Sequence, residues 1–468
     1  MKRAAVAALP LLLSACAGLV EERGFAAVRA EAQEAIGPEI AQNVQWIRTE
    51  DERKAARARV EAILSEPLTA DGAVAVALLN NRGLQADYHR LGLSAAAMVA
   101  ALTPPNPGFS FGRLRGGGVL ELERAVTLDV LGLLTLPIAA AIEDRRWEQA
   151  KLEALDAVLR TANEARLAFV GAVAAEQILA YMEQAKESAE ASAEMARRLG
   201  LAGTYGRLQQ AREQVFRAEL LVQYARARRA RTAARERLAR ALGLWGSAPE
   251  IRLPDRLPEP PAKLPERSDL EAKAMAGRID VRIARLEAEG LARSYGLTQA
   301  TRFVNVLETG WQDKRETGSP IARGYEIAVT VPIFDFGTTR VAQAEHTYMA
   351  AVHHLAGTAV AARSEVRERY EEYRLAWDLV QHYRRTVVPG RKAISDEQLL
   401  RYNGMLVGVF ELLADARDQI AAVVATIEAE RDWWEAEAAL DAALLGGAVA
   451  GGRESTPALA ARRPGGAH

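Results

Sequence analysis

The chain has 468 residues, 49% hydrophobic and 26% charged, a composition that excludes a disordered or collagen-like polymer. The 60 Lys and Arg against 61 Asp and Glu leave a net charge of −1, so the chain lacks the global basic field that holds nucleic acid. Its 1 cysteine, Cys16, excludes an internal disulfide and any cage built from several cysteines.

The N-terminus reads as an export signal. Lys2 and Arg3 precede an apolar run from Ala4 to Leu13, and Leu13-Ser14-Ala15-Cys16 follows. The run is too short to span a bilayer, which needs about 20 apolar residues. Leu-Ser-Ala-Cys resembles a bacterial lipobox. That resemblance implies a lipoprotein signal peptide over 1–15 and lipidation of Cys16 as the mature first residue. Ala17 then resembles an outer-membrane sorting position. The alternative is an ordinary signal peptide with an incidental cysteine. No later segment reads as a transmembrane helix: Val130 to Ile142 is short and holds Gly132 and Pro137. A membrane crossing would have to be made by strands.

Residues 16–67 are polar and are expected to form a loosely attached N-terminal arm with some helix. The first regular unit covers 68–248. Leu68-Thr69-Ala70-Asp71 is a helix start, and Val74 to Ala101 follows with Leu78, Leu79, Leu84 and Leu91 on its apolar side. Pro104, Pro105 and Pro107 stop it. Two short alternating segments come next. In Leu120 to Val130 the even positions are apolar apart from Arg124, and the odd ones carry Glu121, Glu123, Thr127 and Asp129. Such alternation predicts a strand with one apolar and one wet face. From Pro137 a helix is predicted to about Ala202, a rod of roughly 98 Å at 1.5 Å per residue. It turns near Gly200 to Gly203 and a second helix returns to about Leu244.

A Pro-rich connector, 249–267, leads to a second unit over 268–445 that repeats the plan. A helix from about Asp269 to Arg293 precedes a segment near Phe303 to Trp311. Gly324 to Ile333 then alternates, with Tyr325, Ile327, Val329, Val331 and Ile333 on one face. A long helix over 338–402 is predicted to kink at Pro389-Gly390, turn at Gly404 to Gly408 and return to about Leu445. A shift of about 205 residues aligns Gly203 with Gly408, Tyr205 with Phe410, Arg212 with Arg417 and Gln214 with Gln419. Residues 446–468, rich in Gly, Ala, Pro and Arg, are expected to be a disordered tail.

The fold class is therefore mainly α with a membrane β-barrel portion, built from two tandem repeats of helix–strand–strand–long helix–helix. Four strands cannot close a barrel, and the smallest transmembrane barrels have about eight. The chain is expected to share a barrel with copies of itself, as a dimer or a trimer. Twelve strands leave a lumen where eight leave a filled interior, so a homotrimer is favoured.

Three segments carry a family resemblance: Val331-Pro332-Ile333-Phe334-Asp335-Phe336-Gly337, Leu78-Leu79-Asn80-Asn81-Arg82 with Pro105-Asn106-Pro107, and Glu411 to Arg417 after the second turn. Together they resemble the TolC-like outer-membrane factors of bacterial efflux and type I secretion systems, in their lipid-anchored branch, over about 68–445. The resemblance implies a homotrimer with a shared 12-stranded β-barrel in the outer membrane and a periplasmic α-helical barrel. It implies that the helical turns, here Gly203, Tyr205, Gly408 and Phe410, meet a periplasmic adaptor (membrane fusion) protein and, through it, an inner-membrane pump. Function is then that of a passive exit duct, with no cofactor and no enzymatic step. Gly404 stands one position from the family's tip glycine, and Gly116-Gly117-Gly118 is an unusual turn for the first strand pair.

Glu411 and Asp415, one helical turn apart, are the gate candidates: a ring of three symmetry-related carboxylates can act as a selectivity and gating device. The alternative for each is a solvated acid at a helix start. His346, His353 and His354 lie on one helix, but their spacing favours a surface group over a metal site. The arginine run Arg226 to Arg240 reads as a solvated or inter-subunit face, and Trp433-Trp434 as helix packing. No P-loop, Gly-x-Ser-x-Gly or His-Glu-x-x-His occurs. A type I protein secretion duct and a non-porous, lipid-anchored coiled-coil scaffold of the envelope remain as alternatives. Drugs, solvents, metal ions and proteins are all open as cargo.

Overall fold

The computed structural model describes residues 21–245, 251–304 and 306–446, apart from the side chains of residues 409, 410, 413 and 414. The expected signal peptide, Cys16 and the tail beyond residue 446 lie outside the described residues.

Residues 21–36 form helix α1, followed by α2 (Pro38–Ala41), α3 (Glu50–Leu64), α4 (Ala70–Asn80) and α5 (Arg82–Leu102). The arm is attached more firmly than its polar sequence suggests. Val28 and Ala32 of α1, with Val44 and Trp46, are buried in the main hydrophobic cluster. Thr49 starts α3 with a reciprocal cap: its side chain accepts from the Glu52 N–H while Glu52 accepts from the Thr49 N–H.

The helix expected over Val74 to Ala101 is two helices. Asn81 leaves the helical region (φ −70°, ψ 116°), and its side chain accepts from the N–H groups of Gly83 (2.8 Å) and Leu84 (3.2 Å). Asn80 reaches across the fold and donates to the carbonyls of Leu242 (3.1 Å) and Gly243 (2.8 Å). The Asn80-Asn81 pair thus caps one helix and satisfies the C-terminal end of another.

Strands β1 (Gly108–Gly116) and β2 (Val119–Asp129) form a hairpin, and β2 runs without a loop into α6 (Val130–Leu201). Asp129 ends the strand and caps the helix, accepting from the Gly132 N–H at 2.8 Å. Helix α6 therefore begins before Pro137, holds it in its interior, and runs 72 residues, about 108 Å. Among the described residues α6 alone contains a window long and apolar enough to cross a membrane, with mean hydropathy 1.3, which the sequence reading did not find. Its Leu155, Val158, Phe169 and Val173 lie in the main cluster, packed among the other helices.

Helix α7 (Arg207–Ala241) returns along α6. The order then recurs: α8 (Leu270–Gly277), α9 (Ile279–Ala300), β3 (Val306–Glu316), β4 (Ala322–Thr330), α10 (Thr338–His382), a π-helical segment Tyr383–Val387, α11 (Val388–Asn403) and α12 (Val409–Leu445). Arg278 breaks α8 from α9 as Asn81 breaks α4 from α5, and it donates to the Ala443 carbonyl at 2.6 Å. It also pairs with Asp280 and Glu365, each at 2.8 Å. The expected kink at Pro389 appears as the π segment just before it. Proline lacks an N–H and crowds the preceding turn, and a widened turn absorbs both defects.

The connector is a strap across the outside of the helices. Trp434 donates to the Pro258 carbonyl (3.1 Å) and Trp377 to that of Pro261 (3.0 Å). Trp433 is buried against Tyr373, as the packing reading expects.

Candidate functional site

Among the described residues the four strands form one antiparallel sheet in the order β1-β2-β3-β4, so the second strand of one repeat pairs with the first of the other. Lengths of 9, 11, 11 and 9 residues match the 9–11 that a tilted strand needs to cross a bilayer. The outer edges of β1 and β4 have no strand partner among the described residues.

Register sorts the side chains, because partners across a pair share a face. One face carries the row Phe109, Val126, Trp311 and Tyr325, with Leu128, Thr309 and Ile327 below it, then Leu307 and Val329. Phe109 is 78% exposed and Tyr325 81%. The opposite face is wet and acidic. It presents Glu121, Glu123, Asp129, Glu308, Glu316 and Glu326, with Lys314 as its basic residue. Lys314 bridges Glu121 and Glu123.

At the helical end of the sheet, the segment Val331 to Gly337 turns the chain into α10. Phe336 (φ 51°) and Gly337 (φ 68°) are both left-handed, and a Cβ at Gly337 would stand 2.3 Å from the Arg302 carbonyl oxygen. Only glycine fits there. Asp335 holds the turn, accepting from the Gly337 N–H at 3.0 Å. Ile333, Phe334 and Phe336 are exposed in this turn, Phe334 to 98%.

The two helical turns lie at one end of the molecule, where Tyr402 is close enough to Tyr205 to influence it electrostatically. Burial, with Glu213 and Tyr402 nearby, pushes the Tyr205 phenol up. Gly203 is left-handed at φ 76°, and the residue in that conformation in the second turn is Met405 (φ 57°). Gly206 and Gly408 are the matching N-caps, receiving the side chains of Gln209 (2.9 Å) and Glu411 (3.0 Å) on their N–H groups. The turns therefore superpose with Gly203 on Met405 and Gly206 on Gly408, three residues from the expected alignment of Gly203 with Gly408. Three residues is close to one helical turn, so the matched helix positions kept their face while the register slipped. The Phe410 side chain lies outside the described residues.

The gate candidates differ in setting. Glu411 is exposed and occupied as a helix-start acid. Asp415 is buried, and its Oδ1 has no hydrogen-bond partner among the described residues. Around it, Arg391 pairs with Asp418 (2.8 Å), while Arg417 pairs with Glu219 (3.1 Å) and lies over the Phe216 ring. Glu213 is buried beside them, its Oε2 accepting from Ser192 Oγ at 3.1 Å, and burial pushes its carboxyl up.

Sequence reading missed the apolar character of this end. Leu201 is 77% exposed, Met405 94% and Leu406 78%. The signal was present: apolar residues in a solvent-facing turn between amphipathic helices. Above the turns, α6, α7 and α12 enclose an open cavity of about 1240 Å³ lined by Arg226, Arg237, Arg240, Glu428 and Glu435. Elsewhere in the arginine run, Arg231 and Arg235 pair with Glu176. His346, His353 and His354 are exposed on α10.

No protein-family model and no curated relative matches the sequence. Solved structures do match. The outer-membrane channel OprN is 18% identical, over 83% of this chain and 92% of that one, with a TM-score of 0.69. CusC, whose structures concern folding and transmembrane channel formation, is 15% identical over 83% and 92%, with a TM-score of 0.66. The open state of the Neisseria gonorrhoeae MtrE outer membrane channel is 15% identical over 80% and 89%, with a TM-score of 0.65. At such identities the likeness is one of architecture, and the chain has the TolC-like outer-membrane-channel fold.

Proposed function

We propose that the chain is one subunit of an outer-membrane exit duct. Three copies close a 12-stranded barrel in the lipid, and their helices continue the wall into the periplasm. One observation carries this reading: a four-stranded sheet, apolar over the helical half of one face and acidic on the other, has two edges without a strand partner among the described residues, and its β2 merges directly with a long helical hairpin. In a bilayer such edges must pair with further strands, because no water is present to satisfy them. The apolar face then meets lipid and the acidic face lines the lumen. The similar structures that are outer-membrane channels support the same placement.

The duct is passive. Cargo arrives from an inner-membrane pump through a periplasmic adaptor protein that grips the apolar turns around Gly203, Tyr205, Met405 and Gly408. Lipidation of Cys16 adds an anchor. The acidic lumen makes conduction cation-preferring. Glu411 and Asp415 remain the gate candidates, and dilation of the helical end would expose the buried Asp415.

The deciding experiment is the protein mass of the detergent-extracted particle, by light scattering with detergent subtraction. Three chains are expected; a monomer would overturn the reading. In planar bilayers the trimer is expected to prefer K⁺ over Cl⁻, and Glu411→Ala with Asp415→Ala to raise leak conductance. Unchanged conductance in the double variant rejects the gate assignment alone.

A further inference from the structure

The apolar face of the sheet changes character towards the hairpin ends. Beyond the row of Phe109, Val126, Trp311 and Tyr325 come Phe111, Arg124, Asp313 and Arg323, side by side across all four strands. The next row holds Arg113, Leu122 and Arg315, and the last Arg115 and Leu120. Five arginines thus share the face that carries the aromatic and aliphatic band, all at its end away from the helices. Asp313 is the acid among them, and Arg124 lies 3.9 Å from it. Arg113, Arg115, Arg315 and Arg323 are exposed, and none has an ion-pair partner among the described residues. The acids at this level, Glu121, Glu123 and Glu316, sit on the other face.

Solvation alone does not account for this pattern, since Lys and Glu would solubilise a barrel rim equally well and, apart from Asp313, the acids at this level lie on the opposite face. Arginine presents a planar fork of donors that fits phosphate oxygens two at a time. An unpaired cationic tier at the edge of a lipid-facing band stands where headgroup phosphates lie. We propose that this tier binds the phosphates of anionic lipid headgroups in the outer leaflet, tying each subunit to its surrounding lipid. The proposal rests on the membrane-barrel reading of the sheet.

The test uses the full-length detergent-solubilised protein, titrated with lipid A carrying two, one or no phosphates, with inorganic phosphate as a control. Affinity is expected to follow the number of lipid phosphates and to weaken with salt, while inorganic phosphate does not compete at equal concentration. Replacing Arg113, Arg115, Arg315 and Arg323 by Gln is expected to weaken binding roughly 600-fold, taking about fivefold per arginine. Lys314→Gln, on the lumen face, is expected to leave it unchanged. Equal affinity for the three lipids overturns the proposal with the unaltered protein alone, so it does not depend on how the fourfold variant folds. Retention of binding by a folded fourfold variant overturns it as well. Failure of the protein to insert into bilayers at all would instead reject the barrel reading.

Discussion

Two residues in the same backbone conformation, Gly203 and Met405, make the cleanest residue-scale comparison. A Cβ at Gly203 would meet nothing within 4 Å, so the cost of Gly203→Ala is purely conformational. It is expected to be about 1 kcal/mol, read as a lower thermal midpoint. Met405→Gly relieves the same strain and is expected to leave stability unchanged or raise it. Glu213 supplies a pH-dependent comparison. Burial raises its carboxyl above the ordinary range, so the folded state holds the proton more tightly than the unfolded chain. Its favourable contribution is complete below about pH 4 and is lost as pH rises through the folded value. Glu213→Gln keeps an acceptor for Ser192, and is expected to match the unaltered protein at pH 4 and exceed it at pH 8 in thermal unfolding. An equal margin at both pH values would dismiss the burial effect. These features could not be read in the sequence: nothing in the text near Met405 signals a left-handed backbone, and nothing near Glu213 signals the burial that its neighbours impose.

At the scale of elements, period-two alternation gave the strand of Val119–Asp129 to within a residue, because one face was apolar throughout its lower half. Prolines were harder to read. Pro137 suggested a boundary but stands inside α6, whereas Pro389 does disturb its helix through the π segment. Asn81 hid a helix break that its own side chain caps. The apolar stretch of α6 was missed because its residues are spread among small and charged ones along the rod. Arg278 shows how an interior joint is held: one buried guanidinium serves α9, α10 and the end of α12. Arg278→Met would leave two carboxylates and a carbonyl without it. A loss of about 3–5 kcal/mol is expected in denaturant unfolding, and a loss below 1 would show that Asp280 and Glu365 find other partners.

At the scale of the molecule, the two-repeat plan was legible because each repeat needs the same parts, whereas the alignment of the turns was not, because a helix tolerates a slip of about one turn. The site was half legible. The greasy and wet faces were visible in β2 and β4 separately, but that β2 pairs with β3, and so which charges share a face, emerges from the sheet alone. Cysteines introduced at Phe109 and Val329, on the two edge strands, are expected to crosslink between subunits of the extracted particle; crosslinks confined within single chains would contradict the shared wall. Those edges have a further consequence. They are unlike, so in the proposed ring copies join head to tail, each adding its β1 to the β4 of the last. A joint of this kind has no internal stop: it makes a closed ring where the rotation per copy divides a full circle and an open spiral where it does not. In the proposed ring the number of subunits is therefore set not by the strands that bond but by the angle at which the helical rods beneath them meet.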